Sequence, residues 1–152
     1  MRHFLYCDTV GPIGSVGLLL LRLAMGAAFL LHGWPKIQHP VDWMGAGAPV
    51  PAVFQALAAI AEFGGGMALI AGLLTRLASL GIATNMIVAL AMVHLPHGDP
   101  FVADPGKPGE PSYELAALYL ACALLFLLLG PGRFSLDAIF FRKPPESAVG
   151  TR

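Results

Sequence analysis

Two groups of polar side chains in this chain could do chemistry, and both are set in apolar surroundings. His32, Lys36, His94 and Glu114 stand at the ends of apolar runs, while Arg22, Glu62 and Asn85 stand inside them. The first group has the makings of a head-group site for a quinone-like molecule. His or Lys would donate to a ring carbonyl, and Glu114 would take or give a proton, given hydrogen-bond reach. Two other chemistries stay open on the same residues. His94-x-x-His97 with His32 and Glu114 is a permissive but unspecific set for zinc, and His32 with His94 could ligate a haem from two helices. No residue is assigned as a metal ligand on spacing alone. The plain alternative is that these groups hydrate the helix ends.

The second group raises an electrostatic question. An isolated charge at mid-bilayer costs at least about 2.5–3.5 kcal/mol on insertion scales, so a buried ionisable group needs a partner. Counted from the start of its own run, Arg22 lies roughly 14 Å deep and Glu62 lies roughly 14 Å deep from the opposite side. In a hydrocarbon core about 30 Å thick the two would meet. The expectation is therefore a buried Arg22–Glu62 ion pair, with Asn85 at the same depth to hydrogen-bond it. Such a pair reads as a lock on helix register or as a proton or ligand site.

These residues must be positioned by membrane helices. The chain has 152 residues, 57% hydrophobic and 12% charged, against about 25% charged in a soluble domain. Net formal charge is zero, and nothing supplies the basic face that nucleic acid requires. Four runs approach or reach the about 20 residues that a span needs: 13–34, 53–74, 77–95 and 114–130. The expected fold is all-α, a four-helix transmembrane bundle over residues 13–138. A polar tail precedes it (1–12) and another follows it (139–152). The first run is longer and more polar than a signal-peptide core, and reads as a span. Cys7 and Cys122 form no C-x-x-C motif and read as free thiols.

Small residues accompany the charges. Ser15, Arg22, Gly26 and Gly33 share a helical face, and so do Ala58, Glu62, Gly65, Gly66 and Gly72. Such stripes let membrane helices approach closely. Asn85 and His94 lie half a turn out of phase on a straight helix and cannot both face the bundle axis. Arg2, Arg76, Arg133, Arg142, Lys143 and Arg152 fall on one side of the spans, and only Lys36 and Lys107 on the other. By the positive-inside rule both termini are then cytoplasmic and the two Pro/Gly loops face outward.

Taken in order, "HGWPK" after Arg22, "GAGAPVP", "EFGGGMALIAGLLTR", His94, Glu114 and "GPGRFSLD" resemble the DoxX family of small four-helix membrane proteins. The resemblance runs from about Gly17 to Asp137. It implies a multi-pass protein of the bacterial cytoplasmic membrane and points toward redox systems. Some members are described as subunits of thiosulfate:quinone oxidoreductases, and others as partners in thiol or oxidative-stress complexes. The expected function is a membrane subunit of a redox system, with a quinone-like ligand and a partner protein to supply electrons. A homo-oligomer is compatible with it. The alternative is a non-catalytic scaffold or assembly protein, or a small transporter. The resemblance supplies no agreed active site.

Overall fold

The structure is a computed structural model that describes residues 10–48, 50–107 and 109–141. Both expected polar tails fall largely outside these residues, and Cys7 with them. Every regular element is helical among the described residues. Helix α1 runs Pro12–Gln38, α2 Ala52–Ala71 and α4 Glu114–Leu129. Helix α3 is continuous over Thr75–His97 and contains a π-helical stretch at Leu90–His94. A short α5, Leu136–Phe141, follows α4.

Local chemistry sets the helix ends. Pro12 opens α1, where a missing N–H costs nothing. Gly72 ends α2 in the left-handed region at φ 67°. Leu73 N donates to Ala68 O and Gly72 N to Leu69 O, the paired bonds of a Schellman end. The chain then turns through Leu74, itself left-handed at φ 49°, and α3 begins at once.

Packing joins α1 to α2, α2 to α3 and α3 to α4. The ring closes where Phe29 of α1 meets Tyr119 of α4, with ring centroids 4.8 Å apart. Leu18, Met25, Phe29, Leu69, Ile82, Ala83, Met86, Ala123 and Phe126 fill the centre. Leu20, Leu31, Ile60, Leu80, Leu118 and Leu128 point outward, more than half of each exposed except Leu80 at 49%. An outward apolar surface with all backbone bonds kept inside helices is the solution that a bilayer enforces. Three helices are long and apolar enough to span, Pro12–Gln38, Ala52–Ala71 and Thr75–His97, and α4 is a shorter apolar helix. The protein is an all-helical, multi-pass membrane bundle.

Glycines fix the α1–α2 register. A Cβ on Gly26 would lie 2.8 Å from Gly66 O, and one on Gly66 would lie 2.6 Å from Leu30 N. Gly33 lies against the Phe63 backbone. The helices therefore touch backbone to backbone, as small-residue interfaces in membranes do. This register sets Arg22 level with the α2–α3 turn and Glu62 level with Lys36. At 1.5 Å per residue from Arg22 to Lys36 the two charges stand roughly 21 Å apart along the bundle.

Candidate functional site

The expected Arg22–Glu62 pair is not formed; each charge takes other partners, at opposite ends of the bundle. The depth argument started both helices at a membrane face. Helix α1 instead runs past the end of α2, and its first turns pack beside the segment after α4. There a Cβ on Gly132 would lie 3.3 Å from Ser15 Cα.

At the turn end, Arg22 is 1% exposed. Its Nη1 donates to Pro131 O and its Nη2 to Phe134 O, both at 2.8 Å. Arg76 Nη2 donates to Leu128 O at 3.0 Å. Cations thus sit at the carbonyl-rich C-terminal end of α4, where the helix dipole is negative. Asp137, fully buried, supplies a negative charge that acts on Arg22. It also accepts from Leu74 N at 2.7 Å and from Thr75 N at 2.9 Å. Helix α3 has no side-chain cap of its own, so a carboxylate from α5 caps it across the fold. Gly72 is required twice: by its positive φ, and because a Cβ there would lie 2.6 Å from Arg22 Nη1. The bonds that Arg22 and Asp137 make here all run to groups of the chain itself, and their chemistry is that of a clasp joining α1, the α2–α3 turn and α5.

At the loop end the arrangement is more open. Lys36 Nζ meets Glu62 Oε1 at 2.6 Å, with 23% of the Lys36 side chain exposed and 4% of that of Glu62. Asn85 Nδ2 donates to the same Oε1 at 2.7 Å. Glu62 Oε2 is buried without a hydrogen-bond partner. Trp43, from the α1–α2 loop, lies under the ammonium, with Nζ 4.4 Å from the ring centroid. Gln55 holds that loop: its O accepts from Trp43 Nε1, its Oε1 from Met44 N, and its Nε2 donates to Val50 O. This end therefore has a cation at the edge, an aromatic plane, and an acceptor oxygen with nothing to accept from.

The four residues expected to line a ligand site are not joined to one another. No hydrogen bond or ion pair links any two of His32, Lys36, His94 and Glu114. His32 lies one turn before Lys36 on α1, exposed, with its ring 6.4 Å edge-on from Tyr119. His94 Nδ1 is 2.7 Å from Asp99 Oδ2, and His97 Nδ1 contacts Val93 O. Glu114 is exposed in the first turn of α4, where negative charge suits the helix dipole. The π-helical stretch ends at His94. It breaks the straight-helix phase that opposed His94 to Asn85, and leaves His94 half-buried. Among the described residues no three His, Cys, Asp or Glu side chains converge to hold a metal. Cys122 is a free, half-buried thiol on α4.

The DoxX family model matches residues 17–95. The chain belongs to the DoxX family. The matched stretch contains Lys36, Trp43, Glu62 and Asn85 in full, and ends before Asp137. An uncharacterised protein of Haemophilus influenzae is 32% identical over 130 residues, covering 83% of this chain and 92% of that one. An uncharacterised membrane protein of Mycobacterium tuberculosis is 32% identical over 148 residues, covering 91% and 89%. The inner membrane protein YqjF of Escherichia coli is 28% identical over 136 residues, covering 85% and 95%. No solved structure matches the chain.

Several residues of this DoxX protein escaped the sequence reading. Asp137 lies in "GPGRFSLD", where an acidic residue three positions after the Arg133-Phe134 pair was the available signal. Gln55 is the lone amide in the first turn of an apolar helix. Trp43 lies in the loop after α1, where an aromatic by its type alone suits a membrane interface.

Proposed function

We propose that this DoxX protein is a subunit of a redox system in the bacterial inner membrane, and that it holds the head group of a quinone-like molecule at the Lys36–Glu62–Asn85 site. The observation that carries the reading is the Lys36 ammonium. It is partly exposed, fixed by Glu62 and backed by the Trp43 ring. An ammonium has three donors, so N–H groups remain for a head-group carbonyl while the indole offers a stacking plane. Apolar walls with a few convergent polar groups are the usual make-up of a small-molecule site. His32 lies one turn before Lys36 on the same helix. Both termini are cytoplasmic and the loop end faces outward, in keeping with the excess of Lys and Arg at the turn end. Electrons come from a partner protein, since the sequence carries no flavin, haem or iron–sulfur motif.

The test is direct. The protein is purified in mild detergent, co-purifying small molecules are identified by mass spectrometry, and a short-chain quinone is titrated while tryptophan fluorescence is followed. Stoichiometric quinone, or saturable quenching lost in Lys36→Met, is the expected result. A folded protein with neither bound quinone nor saturable quenching would overturn the proposal. A non-catalytic scaffold is the second reading, favoured by the wholly internal bonding around Arg22 and Asp137.

A further inference from the structure

The loop-end site has one polar valence left over, and its sign is informative. An ionised carboxylate only accepts hydrogen bonds. Glu62 spends Oε1 on both Lys36 and Asn85, at 2.6 and 2.7 Å, and leaves Oε2 buried with no donor. Native proteins rarely leave such an atom without a partner. A second ammonium is a poor candidate for the missing donor, because Lys36 already stands beside the carboxylate. A head group bearing carbonyls alone would satisfy Lys36 but would turn a lone pair toward Oε2.

We infer that the occupant of this site carries a hydroxyl, as a hydroquinone, phenol or alcohol head group does, and that the site favours the hydroxyl form over the corresponding carbonyl form. The inference rests on the proposed small-molecule site and adds the class of head group it takes. A single hydroxyl closes the set: its hydrogen goes to Glu62 Oε2, and its oxygen accepts from Lys36 Nζ. Lys36 is the exposed member of the pair, so the head group enters past it. The terminal torsion of a Glu side chain is broad and roughly two-fold, which lets the carboxylate turn Oε2 toward the entrance. Trp43 then covers the ring of an aromatic occupant.

A matched series of probes tests this on the full chain in detergent. Tetramethylhydroquinone (held reduced under anaerobic conditions), tetramethylbenzoquinone and the dimethyl ether of the hydroquinone are titrated against tryptophan fluorescence. The hydroquinone is expected to bind about tenfold more tightly than either of the others. For a bound two-electron couple that preference raises the midpoint potential by about 30 mV. In Glu62→Gln the amide can present a donor, and the preference should vanish or reverse toward the quinone. Equal or tighter binding of the quinone to the wild-type protein overturns the inference and leaves the proposed function standing. Saturable binding by none of the three, with helicity intact, means that water alone fills the valence; it overturns both. The wild-type comparison decides the matter even where Glu62→Gln fails to fold.

Discussion

Asp137→Ala is the sharpest test of how this bundle is held together. The carboxylate is fully buried and takes Leu74 N and Thr75 N at 2.7 and 2.9 Å. Losing an N-cap side chain costs about 0.5–2 kcal/mol, and a hydrogen bond to a charged group contributes about 1.5–3 kcal/mol. The alanine also leaves the Leu74 and Thr75 N–H groups without an acceptor, and each buried donor so stranded costs about 1–3 kcal/mol. These effects share groups and do not add. The expected loss is about 3–5 kcal/mol, because Leu74 would keep its left-handed backbone with two N–H groups unpaired. Asp137→Asn retains one acceptor and should lose about half as much. Reversible unfolding in mixed micelles, followed by helicity, supplies the measurement. A loss below about 1 kcal/mol for Asp137→Ala would show that α5 does not cap α3, and the clasp would have to be abandoned.

Other outcomes follow from the same geometry. Double-mutant cycles should find a coupling of about 0.5–3 kcal/mol between Lys36 and Glu62, and almost none between Arg22 and Glu62, which are far enough apart to act independently; the reverse result would refute the register. Gly66→Ala places a methyl 2.6 Å from Leu30 N and should destabilise by about 1–3 kcal/mol through overpacking, whereas Gly17→Ala meets nothing within 4 Å and should be close to neutral in the same unfolding assay. Arg22→Lys keeps the charge but gives up the fork that reaches Pro131 O and Phe134 O together, so its melting temperature should fall clearly below that of the wild type. In intact cells, a cysteine introduced at Gly98 in a background lacking native cysteines should react with an impermeant maleimide, and one introduced at Arg133 should not; the opposite pattern would invert the assigned orientation.

Much of the fold was legible because bilayer physics writes it into composition. Apolar runs near 20 residues, parted by Pro and Gly, can cross a membrane only as helices, and their number and order follow directly. Side chains that pair through their own charge were partly legible too: Glu62 and Asn85 were expected at one level, and Asn85 donates to Glu62. Lys36 was expected in a head-group layer; its bond to Glu62 depends on how far α1 slides along α2. That slide is set by Gly26, Gly33 and Gly66 meeting backbone to backbone, and the length of a run does not contain it.

The partners of Arg22 show where sequence stops and tertiary structure begins. That an arginine in an apolar run must be neutralised follows from the energetics of burial, so the sequence alone determined that Arg22 faces the bundle and is bonded there. Its acceptors are the carbonyls of Pro131 and Phe134, and a carbonyl is present at every residue, so no side-chain type could mark them. The α3 cap is similar, since Asp137 reaches Leu74 and Thr75 from the far end of the chain. Composition decided the solvent, the helices and the need for partners. Only the packed structure decided which partner each charge received, because backbone acceptors leave no imprint in residue types and a stripe of glycines does not say which glycine meets which residue of the facing helix.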